Sequence, residues 1–267
     1  MCATCGCDQP GMIKITNVRD ALFPQLHHNH DVHQHINTSQ EHNSKRTQID
    51  LEQDILQKNN LLAERNRGYF EAKEITAFNL VSSPGSGKTA LLECTLRDLG
   101  NELDFYVIEG DQQTTNDADR IAKYNTPVIQ INTGKGCHLD ATMVKDALAE
   151  LKPKEHSVVF IENIGNLVCP SMFDLGEQKR VVIISVTEGE DKPLKYPDMF
   201  SGSQLCIINK IDLLPYLKFD LPKLKAYAKR INPVLEFIDL SCSTGEGLGL
   251  WYAWLKKELK TNEVIAN

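Results

Sequence analysis

Short apolar runs rich in β-branched residues alternate with longer amphipathic segments between residues 75 and 259. This alternation predicts β-α-β units. The expected fold is α/β, a doubly wound and mostly parallel sheet that binds ligands at the carboxyl ends of its strands. The predicted strands are 75–81, 105–109, 128–132, 158–162, 180–186, 205–209 and 235–240, and the predicted helices include 89–99, 117–124, 139–151, 221–231 and 248–259.

The chain before this alternation has a different composition. Residues 1–47 contain few apolar side chains and many histidines, asparagines and glutamines. Such a segment buries too little apolar surface to offset its chain entropy, so we expect it to be disordered without metal. Residues 48–69 space their apolar residues as an amphipathic helix does. The predicted organisation is therefore an extension over 1–47, a helical lead-in over 48–74 and a globular domain over 75–267.

The first predicted strand ends in a glycine-rich turn. Residues 82–89 read Ser-Ser-Pro-Gly-Ser-Gly-Lys-Thr, with Ser82 where the phosphate-loop consensus has its first glycine. Loop amides and a helix N-terminus that follow a strand bind phosphate oxygens. We expect Lys88 to contact the β- and γ-phosphates and Thr89 to bind Mg²⁺. The residues predicted to hold the phosphates are Gly85, Ser86, Gly87, Lys88, Thr89 and Ala90.

A second motif predicts which nucleotide is bound. A later apolar run ends in Asn209, Lys210 and Asp212, in an Asn-Lys-x-Asp arrangement. An aspartate there accepts hydrogen bonds from guanine N1–H and its 2-amino group, whereas adenine would leave the buried charge unpaired. GTP or GDP is therefore the expected ligand. Ser241 and Cys242, which follow the last predicted strand, are expected to support the base.

The predicted reaction is attack of water on the γ-phosphate of GTP, with the loop lysine, the loop amides and Mg²⁺ stabilising the charge. Glu162 ends a strand and is expected to hold Mg²⁺ through water. Asp111 is the preferred further ligand or water-orienting group, and Asp117 is the less favoured candidate. Because Asn166 follows Gly165 where Ras-like GTPases keep a glutamine, we predict slow intrinsic turnover.

Five of the eight cysteines fall into two candidate metal sites. The first cluster is a C-x2-C-x-C motif at the N-terminus, whose thiolates suit Ni(II) or Zn(II). The second combines a Cys-His pair and a distant cysteine that follow two strands and so share one edge of the sheet. The predicted ligands are Cys2, Cys5 and Cys7 in the first cluster and Cys137, His138 and Cys169 in the second.

The histidine-rich tract between residues 27 and 42 suggests weak, multi-site binding of Ni(II) or Zn(II), with a solvated polar linker as the alternative. Overall charge excludes other classes of function. A net charge of -7 and a pI of about 5.6 argue against nucleic-acid or anionic-membrane partners. The longest apolar runs are too short to span a bilayer, and no secretory signal is apparent. We expect a cytoplasmic protein.

Together, these motifs resemble those of the nickel-incorporation GTPases of hydrogenase maturation, the HypB family. The resemblance covers nearly the whole chain. Its most specific elements are the N-terminal cysteines and residues 162–170, Glu-Asn-Ile-Gly-Asn-Leu-Val-Cys-Pro, and Ser82 is also typical of that family. The resemblance implies a P-loop GTPase of the SIMIBI type. It further implies a metallochaperone that delivers nickel to [NiFe]-hydrogenase, with GTP hydrolysis timing the transfer.

The resemblance also implies a GTP-promoted homodimer, a small zinc-binding maturation partner and the hydrogenase large-subunit precursor as partners. It favours Cys137, His138 and Cys169 as a metal site. Because Gly165 and Cys169 share a loop, we expect the GTP and GDP states to differ in metal affinity. Two other functions stay open: a urease-type nickel-insertion GTPase, and a nickel storage protein with vestigial hydrolysis. A translational or signalling GTPase is disfavoured by the acidic charge.

Overall fold

One sheet of eight strands organises the protein, whose structure is a computed structural model that describes residues 14–17, 48–112 and 116–265. The strands run in the spatial order β1-β4-β3-β5-β2-β6-β7-β8, and all pair in parallel except β1, which is antiparallel to β4. The predicted doubly wound α/β fold is confirmed. The strands are β1 (Lys14–Asn17), β2 (Thr76–Ser82), β3 (Phe105–Asp111), β4 (Val128–Asn132), β5 (Val158–Glu162), β6 (Lys179–Ser185), β7 (Leu205–Asn209) and β8 (Glu236–Asp239).

Helices connect successive strands. Aspartates cap two of them, because Asp140 accepts a hydrogen bond from Met143 N and Asp220 accepts one from Lys223 N. None of the helices in the described part of the chain is long and apolar enough to cross a membrane. The helices are α1 (Gln48–Ala72), α2 (Lys88–Leu99), α3 (Asn116–Ala122), α4 (Ala141–Leu151), α5 (Cys169–Met172), α6 (Lys192–Lys195), α7 (Pro197–Ser201), α8 (Leu221–Ile231) and α9 (Leu248–Ile265), with a 3₁₀-helix at Ile211–Tyr216.

The helices cover both faces of the sheet. On one face, the rings of Phe78, Phe160 and Trp251 form the centre of an apolar cluster, and Trp251 Nε1 donates a hydrogen bond to Thr95 Oγ1 at 2.8 Å. On the other face, Phe70 of α1 lies in a second cluster. Burial on both faces explains why the central strands are continuous apolar runs rather than alternating ones.

The predicted lead-in helix belongs to the domain. Buried asparagines join α1 to the start of α4 and to the loop before β6. Asn59 accepts a hydrogen bond from Ala141 N at 2.9 Å and donates one to Asp174 O at 2.8 Å. Asn66 donates to Ala141 O at 2.9 Å and to Leu175 O at 3.0 Å. The helix is therefore held by directional contacts as well as by apolar packing.

The N-terminal extension contains one described element. Lys14–Asn17 form the edge strand β1, which pairs with β4 from Lys14 opposite Asn132 to Asn17 opposite Ile129. The prediction that all of residues 1–47 are disordered is wrong for this strand, because an exposed sheet edge supplies backbone partners that composition does not reveal. The predicted cysteine cluster and the histidine-rich tract lie outside the described residues.

Adjacent asparagines in α1 offer a matched test of this docking. Asn59→Ala should lower the free energy of unfolding by about 1–3 kcal/mol, because it leaves the buried Ala141 N–H and Asp174 carbonyl without their partner. Asn60→Ala, at an exposed position of the same helix, should change it by less than about 0.5 kcal/mol. Urea unfolding followed by circular dichroism measures both, and equal losses would contradict the assignment.

Candidate functional site

The predicted phosphate loop leaves the carboxyl end of β2 and enters α2. Gly85 and Gly87 both have positive φ, at 75° and 101°, in the left-handed region that favours glycine. A Cβ atom on Gly87 would lie 2.3 Å from Asn209 Nδ2, whereas one on Gly85 would meet no described atom within 4 Å. Glycine at position 87 is thus required by a close approach of the guanine motif as well as by backbone conformation.

Two predicted site residues of this loop, Lys88 and Thr89, line one cavity. Lys88 Nζ donates a hydrogen bond to Ser82 Oγ at 2.9 Å, and Thr89 Oγ1 donates one to Glu162 Oε1 at 2.8 Å. The cavity has a volume of about 470 Å³ and is open to solvent. Its lining is Pro84, Gly85, Gly87, Lys88, Thr89, Ala90, Glu109, Gly110, Asp111, Gln112, Asp117, Arg120, Glu162, Asn163, Ile164, Gly165 and Lys210.

The Asn-Lys-x-Asp motif is hydrogen-bonded to the phosphate loop. Asn209 Nδ2 donates to Ser86 O at 2.9 Å, and Lys210 Nζ donates to Gly85 O at 2.7 Å. Asn209 Oδ1 accepts from Lys210 N at 2.7 Å and from Cys242 N at 3.3 Å. One side chain therefore joins three segments that are far apart in sequence: the phosphate loop, the motif itself and the loop predicted to support the base.

The aspartate of this motif has a buried carboxylate oxygen. Asp212 Oδ1 is buried and accepts no hydrogen bond from any residue that the structure describes. Ser241 is fully buried, and its Oγ accepts a hydrogen bond from Thr244 N at 3.2 Å, which fixes the neighbouring loop. Burial raises the pKa of the Cys242 thiol to about 12, so that side chain is neutral.

Three carboxylates form a second polar group at the cavity floor. Glu109 and Glu162 pair across β3 and β5, and with Asp117 they offer oxygens within 4.8 Å of one another. Burial, and then the charge of Glu162, raise the pKa of Glu109 well above its usual range. Burial also raises the pKa of Glu162, an effect that Lys88 partly offsets. Two buried carboxylates this close cannot both ionise without a cation.

The orphaned oxygens here fit a hard cation. The Oε2 atoms of Glu109 and Glu162 are buried and accept no hydrogen bond within the described ranges. Together with the Thr89 hydroxyl, they form an all-oxygen donor set of the kind that Mg²⁺ prefers. Asp111, the preferred candidate from sequence, lines the cavity but lies outside this carboxylate group, and its Oδ1 accepts from Gln112 N at 2.6 Å. The geometry therefore favours Asp117 over Asp111.

The three residues of the predicted inner metal site lie close together beyond the carboxyl ends of β4 and β5. Cys137 Sγ lies 2.7 Å from Cys169 Sγ and 3.8 Å from His138 Nδ1. The His138 ring stacks on Phe173 with centroids 3.9 Å apart. Burial lowers the pKa of His138, which favours the neutral imidazole that ligates metals. Two thiols and one imidazole, from the loop after β4 and from the first residue of α5, fit a borderline or soft divalent cation.

The chain is similar to proteins of a known family. Residues 76–239 match the family model described as CobW/HypB/UreG, nucleotide-binding domain. The hydrogenase maturation factor HypB of Escherichia coli K12 is 46% identical, over 97% of this chain and 99% of that protein. The chain belongs to the HypB family. Its resemblance to that family, inferred from motifs, is thus confirmed.

Solved structures of the family support the fold. The crystal structure of HypB from Archaeoglobus fulgidus has a TM-score of 0.71 and 40% identity, and it covers 76% of this chain and 98% of its own. The structure of HypB from Helicobacter pylori, in complex with nickel, has a TM-score of 0.72 and 36% identity, covering 77% and 96%. The mostly parallel P-loop fold is therefore shared with HypB proteins across most of their length.

The structure of this HypB family member also reveals site residues that the motifs did not predict. Glu109 is one, and its signal was a charged residue near the end of an otherwise apolar strand. Glu188 is another. It accepts hydrogen bonds from Ser86 Oγ at 2.6 Å and from Ser185 N at 2.9 Å, and its Oε2 lies 3.4 Å from Lys192 Nζ. Nothing local in the sequence marks this carboxylate as a brace for the phosphate loop.

The two glycines of the phosphate loop give a matched pair of substitutions. Gly85→Ala should cost about 1–2 kcal/mol of unfolding free energy, because alanine is strained at positive φ. Gly87→Ala should cost about 1–3 kcal/mol more, because its Cβ also displaces Asn209 from Ser86. Urea unfolding of nucleotide-free protein tests the difference. Indistinguishable losses would mean that Asn209 moves away freely.

Proposed function

We propose that this protein is a GTP-hydrolysing nickel metallochaperone of [NiFe]-hydrogenase maturation, in which nucleotide state controls metal transfer and dimerisation. One observation carries the proposal: the cavity with its guanine-type motif and the Cys-His-Cys cluster both lie beyond the carboxyl ends of the parallel strands of one sheet. Membership of the HypB family supports the same assignment, as does the nickel complex of the Helicobacter pylori relative.

In this proposal the chain's own residues position GTP for attack by water. Lys88 and the loop amides bind phosphate oxygens, and Asp212 selects guanine through its buried Oδ1. Thr89 and the carboxylates of Glu109, Asp117 and Glu162 would hold Mg²⁺, which would supply positive charge beside the phosphates. Glu162 already accepts a hydrogen bond from the Thr89 hydroxyl, so a carboxylate and a hydroxyl are preorganised for one ion.

The side chain of Asn166 supports slow hydrolysis. Its amide donates to Cys137 O at 3.5 Å, and its Oδ1 accepts from Val168 N at 2.8 Å. Both contacts direct Asn166 toward the metal cluster, at the position where Ras-like GTPases use glutamine to orient water. We infer that the residue contributes to the metal site and leaves the attacking water poorly oriented, which gives a slow timer.

Nickel is the proposed cargo of Cys137, His138 and Cys169, and Zn²⁺ suits the same donors. Close packing supports control by nucleotide, because a Cβ on Gly165 would lie 3.0 Å from Pro84 Cα in the phosphate loop. Gly165 therefore contacts the cavity wall at the start of the loop that carries Cys169. A shift of the phosphate loop would reach the thiolate through this contact.

Protein partners complete the proposal. Val168 and Met172 flank Cys169 with about half of each residue exposed, which gives the metal cluster an apolar rim. Such a rim suits docking of another protein during metal transfer. The proposed partners are a second copy of the chain in the GTP state, a small zinc-binding maturation protein and the hydrogenase large-subunit precursor.

Nickel affinity in two nucleotide states tests the proposal. Full-length protein carrying Cys2→Ala, Cys5→Ala and Cys7→Ala isolates the inner cluster. In this background, affinities with GDP and with a non-hydrolysable GTP analogue should differ by about fivefold or more. The measurement is competition against a chromophoric chelator under reducing conditions. Equal affinities would refute control by nucleotide, since a ligand without differential affinity shifts nothing.

Adding Cys137→Ala to that background should lower nickel affinity more than about 100-fold, because even outer-shell partners contribute 10- to 100-fold. It should also abolish the thiolate-to-nickel charge-transfer absorption. Cys206→Ala is the control, since this cysteine is fully buried in β7 and lies in a different apolar cluster. Retention of tight nickel binding by the Cys137 variant would assign the metal elsewhere.

The Mg²⁺ requirement tests the carboxylates. Glu162→Gln and Glu109→Gln should each raise the Mg²⁺ concentration for half-maximal GTP hydrolysis by about 10- to 100-fold, because each removes a charge beside the proposed ion. Glutamine at 162 keeps an oxygen for Thr89, so the fold of the loop is preserved. Glu155→Gln, at an exposed position, is the control. An unchanged Mg²⁺ dependence in both variants would exclude these ligands.

A further inference from the structure

We propose that Asn163 is the positioning residue that couples the nucleotide cavity to the Cys-His-Cys cluster. The inference rests on the proposed function, because it requires a metal site whose affinity depends on the bound nucleotide. Asn163 was not predicted as a site residue from its sequence context. The structure assigns it this role by three sets of contacts, made by its backbone, its side-chain oxygen and its side-chain amide.

The backbone of Asn163 belongs to the cavity. The residue follows Glu162 directly at the end of β5, and its N–H donates to Leu80 O of β2 at 3.0 Å. Asn163 lines the cavity and is 1% exposed, so its side chain is enclosed by protein. Any displacement of the β5 end by the nucleotide therefore reaches this side chain without an intervening flexible residue.

The side-chain oxygen of Asn163 joins both ligand loops. Oδ1 accepts hydrogen bonds from Ile164 N at 3.0 Å and from Leu139 N at 3.2 Å. Ile164 begins the loop that leads to Cys169, and Leu139 directly follows His138. One oxygen thus holds the segment that leads to Cys169 next to the segment that ends in the Cys-His pair. We infer that this contact sets the distance between the Cys169 thiol and the His138 imidazole.

The segment before Leu139 is tied to the cavity at further points. A Cβ on Gly110, which lines the cavity, would lie 2.9 Å from Leu139 Cδ1, so the leucine side chain rests on that backbone. Thr133 N donates to Asp111 O at 3.0 Å, and Gly134 N donates to Gln112 O at 3.0 Å. The segment that carries the Cys-His pair therefore moves with the cavity wall.

The side-chain amide of Asn163 continues into a buried network that returns to the metal cluster. Its Nδ2 donates to Asn79 Oδ1 at 3.4 Å, and Asn79 Nδ2 donates to Glu177 Oε1 at 3.0 Å. Arg180 pairs with the same carboxylate oxygen at 2.9 Å and donates to Phe173 O at 3.2 Å. Phe173 is the ring that stacks on the imidazole. Paired charges make this network a rigid base.

These contacts connect the end of β5 directly to both ligand-bearing segments. A buried N–H is costly to leave without an acceptor, so Leu139 N must follow Asn163 Oδ1 when the β5 end shifts. The ligand loops then change position together with the cavity wall. We call the hydrogen bond from Leu139 N to Asn163 Oδ1 the joint between the two sites. Coupling between two sites typically changes affinity by about 5- to 150-fold, which is the range that release of a metal by nucleotide needs.

The test compares three asparagine variants in the full chain carrying Cys2→Ala, Cys5→Ala and Cys7→Ala. Asn163→Ala removes the joint, and Asn163→Asp keeps an oxygen acceptor for Leu139 N. Asn232→Ala is the matched control, because this buried asparagine also bonds several loop carbonyls, but in the corner between α7 and β8. Nickel affinity is measured by chelator competition with saturating GDP and with a saturating non-hydrolysable GTP analogue.

We expect the ratio of nickel affinities between the two nucleotide states to fall within about twofold of unity in Asn163→Ala. It should stay at about fivefold or more in wild type, Asn163→Asp and Asn232→Ala. Gly110→Ala, which displaces the Leu139 side chain without changing Asn163, should also change the ratio. This variant replaces Asn163→Ala in the test if Asn163→Ala does not fold. Melting temperatures report folding, and they should fall in Asn232→Ala without loss of the ratio.

The outcomes separate this inference from the function on which it rests. A wild-type ratio near unity would overturn control by nucleotide and the inference with it. A normal wild-type ratio that Asn163→Ala or Gly110→Ala leaves unchanged would overturn the inference alone. Equal loss in Asn232→Ala would show that general destabilisation, and not this joint, abolishes coupling. Loss in Asn163→Asp would overturn the assignment of coupling to the acceptor oxygen alone, because that variant keeps the oxygen and lacks the amide donor.

Discussion

The pairing register of β2, β5 and β3 is the constraint on which the rest of the site depends. Leu80 lies opposite Glu162, and Glu162 lies opposite Glu109. The carboxyl ends of the three strands therefore lie side by side, with β2 and β3 continuing two residues beyond the end of β5. The phosphate loop and the loop to Cys169 both leave the sheet beside the buried carboxylates. A slip of one residue would turn each strand's side chains to the opposite face, and would remove both glutamates from the cavity.

This register has a cost in stability. Burial raises the pKa values of both carboxyl groups, because the interior does not solvate their charge, and a side-chain hydrogen bond joins the pair. The contrast with Glu177 is informative, because that buried carboxylate pairs with Arg180 and accepts the Leu175 N–H, so its charge is balanced by the protein. Glu109 and Glu162 each keep a buried oxygen that accepts no hydrogen bond from the described residues, which supports the proposed cation there, whereas the charge of Glu177 is balanced within the fold.

The sequence was sufficient to predict those features that depend on residues close together in the chain. The strands, the phosphate loop and the Asn-Lys-x-Asp motif are each encoded within a few consecutive positions, so periodicity and spacing were sufficient. Contacts across the sheet were not predictable in this way. The brace from Glu188 to Ser86 and the joint from Asn163 to Leu139 depend on loop positions that only the folded sheet brings together. The edge strand β1 was hidden for a similar reason, since its pairing partner is β4.

The loop after β5 connects the nucleotide cavity to the Cys-His-Cys cluster. Buried strands are too closely packed to transmit a graded movement, so a change at the phosphates must travel through the loops. Asn166 already contacts the Cys137 carbonyl, and Gly165 already contacts Pro84, so the loop between them touches both sites at once. In the proposed mechanism, Asn166 does not orient the attacking water, because its amide is hydrogen-bonded to Cys137 beside the metal cluster. One loop geometry therefore supports both parts of the proposal, slow hydrolysis and a metal site that responds to the nucleotide.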